Sequence, residues 1–158
     1  MDFSLFGLVP MIFGGVPADT PRALLDSIYQ PLVAGQYETI EEHYSDRLQE
    51  LVAANIALNV RDTSGMPIDP DAAPIVEFNP FLNGYDTALE HLQVTEPIIS
   101  DDTAVSLVSF DKAGSSTVLS VSMVREADAW KVDDIASVGE GEKWLYSWLL
   151  QFDPFSQQ

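Results

Sequence analysis

The chain has 158 residues, of which 46% are hydrophobic and 10% aromatic, a length and composition typical of one folded domain with a sizeable core. Seven Lys and Arg against 25 Asp and Glu give a formal net charge of -18, which argues strongly against binding to nucleic acid or to an anionic membrane. There is no cysteine, so the sequence excludes disulfides, thiolate nucleophiles and thiolate metal sites, and it leaves the compartment open.

The first 18 residues, MDFSLFGLVPMIFGGVPA, are apolar and end in a small-residue pattern similar to a leader cleavage site. Asp2 stands where a leader carries Lys or Arg, and Pro10 interrupts a run that is also too short to span a bilayer. We interpret residues 1–18 as an apolar N-terminal arm or a degenerate leader, and residues 19–158 as a single domain. We expect a cytoplasmic protein, or a periplasmic one if a true leader precedes or includes residues 1–18.

The first predicted helix begins at Thr20-Pro21, where Thr supplies the N-cap and Pro takes the first helical position, at which its missing N–H costs nothing. Gly35 ends this helix. A second helical stretch is predicted around residues 39–43, and it leads to a third that Ser45 can cap. Apolar residues recur at helical spacing in the first and third helices: Leu24, Leu25, Ile28, Tyr29 and Leu32, and then Leu48, Leu51, Val52 and Ile56.

A long irregular segment follows over residues 61–83, with four prolines and one glycine in its sequence and Gly84 directly after it. A loop of this length in a small domain is usually functional or held down by its own apolar residues. Phe78, Phe81 and Leu82 are the candidates for that packing.

After Asn83-Gly84 the hydrophobic period becomes two, which indicates strands. Turn residues separate the alternating runs at hairpin distances, so the sequence predicts four antiparallel strands in a meander. The last run, EKWLYSWLLQF, predicts a short amphipathic helix. The predicted fold class is α+β, with N-terminal helices packed in a curved, cone-shaped, four-stranded antiparallel sheet and a short C-terminal helix.

One feature of the last predicted strand, AWKVDDIAS, conflicts with strict alternation. Asp133 and Asp134 stand side by side between Val132 and Ile135, so one carboxylate of a regular strand would face the packed side. Either that carboxylate is paired, or it lines a pocket, or the strand ends there.

The sequence contains, in order, four short strings: IYQPLVAG, YSDRLQEL, FNPFLNGYD and WKVDDI. Together they resemble the bacterial family known as domain of unknown function 3828. This family belongs to the nuclear-transport-factor-2-like, cystatin-like cone superfamily. Leu32 stands where the family often has Tyr, and Asn79 and Tyr85 stand where it tends to have Asp and Gln. The family has no established activity to carry over, and its superfamily contains both enzymes and binding proteins, so the resemblance implies the cone fold but leaves the function open.

Two interpretations of the Asp pair stay open. In the structural one, Arg47 pairs with a buried carboxylate, with Tyr29 and Tyr44 nearby, and fixes a helix against the sheet. In the functional one, Asp133 or Asp134 is a general base in the mouth of the cone. Its acid/base set would then include Asp86, His91 and Tyr85. The candidate binding residues are Tyr29, Tyr44, Arg47, Tyr85, Asp86, Trp130 and Asp134.

No phosphate loop, nucleophile elbow or metal-binding motif is present in the sequence, so we predict no cofactor and no metal. The favoured function is a non-enzymatic module that binds another protein with a basic surface or basic active site, plausibly an acidic immunity or inhibitor protein that neutralises a toxin or secreted enzyme. The alternative is a cone-pocket protein that binds a small ligand, or acts as a hydratase or isomerase, through Asp133 or Asp134. A homodimer through the sheet face is a further option.

Overall fold

The computed structural model describes residues 18–37, 41–60, 79–84 and 87–151. The predicted N-terminal arm up to residue 17 and most of the long irregular segment, including Phe78, lie outside these ranges. Tyr85 and Asp86 also lie outside them.

Helix α1 (Pro21–Val33) begins where the sequence predicts, because the Thr20 hydroxyl oxygen accepts a hydrogen bond from the Ala23 N–H at 3.0 Å. Gly35 follows it with a φ of 83°, the left-handed conformation that glycine adopts without steric cost. A 3-10 turn (Glu41–His43) precedes α2 (Asp46–Val60). Ser45 caps α2 by accepting a hydrogen bond from the Leu48 N–H at 3.2 Å.

The described residues contain six strands in one antiparallel sheet, in place of the four predicted. The first alternating run is split because Pro97 has no N–H to donate to a ladder, and both halves pair with the next strand. The start of the predicted C-terminal helix is extended and pairs with the preceding strand, so the helix begins two residues later. The elements are β1 (Glu90–Val94), β2 (Ile98–Ser100), β3 (Thr103–Lys112), β4 (Ser115–Glu126), β5 (Ala129–Ser137), β6 (Trp144–Leu145) and α3 (Tyr146–Leu150).

The strand order is β1-β3-β4-β5-β6, with β2 also paired to β3. Alternate residues of β3 and β4 are buried in one core with the apolar faces of α1 and α2, so the helices cover one face of the sheet. The fold class predicted from the sequence, α+β with a short C-terminal helix, is confirmed.

The short segment 79–84 completes the core. A backbone bridge between Asn79 and Gly84 closes it, and Phe81 and Leu82 are fully buried, as the sequence predicts. Within the described ranges, no helix has the length and apolar character needed to cross a membrane.

Candidate functional site

A β-bulge explains the adjacent aspartates. Met123 of β4 pairs with Val132 and Ser122 pairs with Asp134, so Asp133 is an extra residue in β5. The bulge keeps both Val132 and Ile135 in the core although three positions separate them. Neither carboxylate therefore has to enter the packed interior.

The carboxylate of Asp133 joins β5 to the start of α2. Its Oδ1 accepts hydrogen bonds from the Ser45 hydroxyl at 2.8 Å and from Arg47 Nε at 3.3 Å, and its Oδ2 accepts from Arg47 Nη2 at 3.3 Å. Arg47 Nη2 also donates to the Asp133 carbonyl at 2.6 Å. These hydrogen bonds raise the pKa of Arg47, whose guanidinium stays charged.

The carboxylate of Asp134 joins the same strand to α3. Its Oδ1 accepts hydrogen bonds at 2.9 Å from the backbone N–H groups of Ser147 and Ile135, and its Oδ2 accepts from the Ser147 hydroxyl. Leu145, at the N-cap position of α3, has no side-chain capping bond, so Asp134 satisfies a donor of the first helical turn from outside the helix. Arg47 Nη2 lies 3.6 Å from Asp134 Oδ2. We call Ser45, Arg47, Asp133, Asp134 and Ser147 the carboxylate clasp.

The clasp lies where the chain entering α2 runs beside β5. Tyr44 forms a parallel bridge with Val132, and the Ser45 N–H donates to the Val132 carbonyl at 2.8 Å. Side-chain exposure is 35% for Asp133 and 14% for Asp134. The sequence-based pairing of Arg47 with the aspartates is thus present in the structure, and it also recruits two serines that the sequence analysis did not assign to it.

The two tyrosines expected beside the clasp make other contacts. The Tyr29 hydroxyl donates to the Phe81 carbonyl at 2.9 Å, and burial raises the pKa of Tyr29 far above its usual range. Tyr44 is also buried, and its hydroxyl makes no hydrogen bond of ordinary geometry. The centre of its ring lies 6.1 Å from that of Tyr146. Burial is the main cause that raises the pKa of Tyr44, and the nearby Tyr146 raises it further. Burial likewise raises the pKa of Tyr146 to about 12.

The two buried phenols give a matched pair of substitutions. We expect Tyr29→Phe to lower the free energy of unfolding by about 1–2 kcal/mol, because the Phe81 carbonyl loses its donor in the core. We expect Tyr44→Phe to change it by less than about 0.5 kcal/mol, because the Tyr44 hydroxyl makes no hydrogen bond of ordinary geometry and interacts chiefly with the neighbouring Tyr146 side chain. Urea denaturation measures both, and equal losses in the two variants would contradict the assignment.

The structure does not bring His91, a member of the proposed acid/base set, to the Asp pair; Tyr85 and Asp86 lie outside the described residues. His91 Nδ1 lies 2.9 Å from Asp111 Oδ2 at the far end of the sheet. Asp111 pairs with Ser116 and Asp134 pairs with Ser122, so the two sites are six residues apart along β4, on the order of 20 Å. In the described ranges no cluster of three or more His, Asp or Glu side chains is arranged to hold a metal ion.

Several candidate binding residues lie in the core. Tyr29, Tyr44 and Trp130 are buried, so they offer no surface to a partner, and the prediction that they bind one needs correction. For Tyr29, the helical apolar spacing noted in the sequence is the spacing of a core stripe. Arg47 and Asp134 belong to the clasp, whose hydrogen bonds are made within the chain.

Comparison with known proteins gives one likeness of fold. No family model and no curated protein matches the chain. A chain in the crystal structure of the type VI native effector–immunity complex Tae3–Tai3 from Ralstonia pickettii is similar in fold, with a TM-score of 0.50 and 21% sequence identity. The similarity covers 78% of this chain and 99% of that one. The resemblance to the domain of unknown function 3828 family stays a prediction.

Proposed function

We propose that this protein is a non-enzymatic binding module that acts as an acidic immunity or inhibitor protein, and that its partner is a protein with a basic surface or basic active site. The observation that carries the proposal is a difference between the basic and the acidic side chains in how many are paired within the chain. Among the described residues, every cation bonds within the chain, whereas several carboxylates have no ion pair there and remain available to a partner.

Six of the seven Lys and Arg lie in the described ranges, and each of the six makes a hydrogen bond or an ion pair within the chain. The three lysines donate to backbone carbonyls and the three arginines pair with carboxylates. By contrast, several exposed carboxylates have no ion pair with any described residue. The cations are Arg22, Arg47, Lys112, Arg125, Lys131 and Lys143; the unpaired carboxylates include Glu50, Glu90, Asp101, Glu140 and Glu142.

The clasp supports the binding module over the pocket protein. A general base needs a lone pair directed at a substrate. Both oxygens of Asp133 and both oxygens of Asp134 instead accept hydrogen bonds from within the chain. These hydrogen bonds hold α2 and α3 on the sheet, which is a structural role for the Asp pair.

The comparison of folds supports the same proposal. The similar solved chain belongs to a complex between an effector and its immunity protein, so a fold of this kind is used in that pairing. We extend the role to this chain because its size, its charge and its lack of a recognisable catalytic motif fit an inhibitor. The cytoplasmic location predicted from the sequence is part of the proposal, as is a heterologous partner rather than a homodimer.

The proposal is tested by affinity capture with the tagged full-length chain from its source cells, followed by identification and separate purification of the partner. We expect one stoichiometric basic protein whose affinity falls by about 10-fold or more between about 0.05 M and about 0.5 M salt. Repeated captures without such a partner, or a partner whose affinity ignores salt, would contradict the proposed function.

A further inference from the structure

The face of the sheet turned away from the helices has an uncharged centre. Leu107, Ser120, Ala136 and Leu145 are successive cross-strand partners on β3, β4, β5 and β6, so they form one row across this outer face. Ile98 and Val105, which pair with each other on β2 and β3, extend the row toward the sheet edge. We call these six residues the central patch.

The central patch is largely apolar, and its four large side chains are exposed. Ile98 is 72% exposed and Leu107 is 44% exposed. Val105 and Leu145 are about as exposed as Leu107. Small side chains, Ser120 and Ala136, lie between the two leucines, which are three strand spacings or roughly 15 Å apart. A contiguous apolar surface of this kind on an otherwise highly charged protein is typical of a protein-binding site.

Acidic residues without an ion pair to any described residue lie in two turns at the ends of these strands. Asp101 lies in the turn before β3, and Glu140 and Glu142 lie between β5 and β6. The described cations near them already bond within the chain: Lys143, in the same segment as Glu140 and Glu142, donates to the Gly139 carbonyl, Lys131 donates to the Glu42 carbonyl, and Arg125 pairs with Asp128. The outer face therefore combines an apolar centre with an acidic rim, the anatomy of a specific interface for a basic partner.

We propose that the central patch is the surface on which the basic partner docks, an inference that rests on the proposed function. A partner with an apolar centre and a basic rim complements both parts of this face. A second copy fits less well, because a two-fold pairing brings one acidic rim against the other in chains that each carry a charge of -18.

The test compares two variants that add the same charge at equally exposed positions. Leu107→Glu changes the central patch, and Ile56→Glu changes α2 on the helix side of the sheet, where Ile56 is also 44% exposed. The probe is the purified basic protein isolated with the full-length chain, and its dissociation constant is measured by calorimetry for both variants. Thermal unfolding checks that both are folded, and Leu107→Ala provides a milder second variant should Leu107→Glu fail to fold.

We expect Leu107→Glu to weaken binding by at least about 30-fold, and Leu107→Ala to weaken it by about 3-fold or more, while Ile56→Glu changes it by less than about 3-fold. If wild type binds the partner and the Leu107 variants bind equally well, or if Ile56→Glu is the variant that loses affinity, the inference is wrong and the proposed function stands. If wild type has no basic partner, both fail. Sedimentation of wild type alone as a dimer that Leu107→Glu dissociates would assign the patch to a second copy and overturn the inference.

Discussion

Replacing Phe81 with Ala is expected to lower the free energy of unfolding by about 3–5 kcal/mol, the cost of an aromatic-sized cavity in a packed core. Phe81 is fully buried; its ring meets that of Tyr29 edge-on at 5.9 Å and lies 6.1 Å from that of Tyr44. The substitution removes the ring contacts of the 79–84 segment with Tyr29 of α1 and with Tyr44, which precedes α2, but it keeps the hydrogen bond from the Tyr29 hydroxyl to the carbonyl of residue 81. Urea denaturation with a fixed m-value measures the loss.

Trp148 provides the control for Phe81. It is a larger aromatic residue but is 67% exposed on α3. We expect Trp148→Ala to cost less than about 1 kcal/mol, because little of the ring leaves a packed environment. A comparable loss in both variants would mean that the packing of Phe81 contributes nothing particular to stability.

Replacing Asp134 with Ala is expected to lower the free energy of unfolding by about 2–4 kcal/mol. The change leaves the N–H and hydroxyl of Ser147 without their acceptor and removes one of the two carboxylates near Arg47. Asp134→Asn keeps the Oδ1 acceptor for the N–H groups but loses the charge, so we expect an intermediate loss.

Asp128 is the matched control for Asp134. It also faces an arginine, with its Oδ1 3.6 Å from Arg125 Nη2, but its side chain is almost fully exposed. We expect Asp128→Ala to change stability by less than about 0.5 kcal/mol, as is usual for a surface ion pair. If Asp134→Ala were as mild as Asp128→Ala, the clasp would not hold α3 on the sheet.

The elements that depend on local signals could be predicted from the sequence. The Thr20-Pro21 start of α1 and the Ser45 cap of α2 rely on side chains within three residues of the backbone groups they satisfy. The long strand β4 carries a period of two, and the structure buries its alternate apolar residues Leu119, Val121 and Met123. Arg47 was identifiable as a partner because few cations are available to a buried carboxylate.

The parts that depend on tertiary context could not be predicted in the same way. The bulge at Asp133 was signalled only by the three-residue spacing from Val132 to Ile135, which also suits a strand end or a pocket. Trp144 and Leu145 have helical spacing with the residues that follow, yet pairing with β5 makes them extended. Tyr29 and Tyr44 are both buried aromatic residues, and only the position of the Phe81 carbonyl distinguishes the bonding of their hydroxyls.

The carboxylate clasp also has a consequence for the order of folding. Ser45 and Asp133 are 88 residues apart in sequence, and the Asn55 side chain donates to the Leu150 carbonyl across 95 residues. Contacts of such high sequence separation carry a large loop-closure cost and slow the folding of a domain. During synthesis the apolar faces of α1 and α2 therefore stay unburied until β5 and α3 have been made. The protein completes its core in a late step that needs almost the whole chain, and until then its helices are exposed to aggregation or to a chaperone.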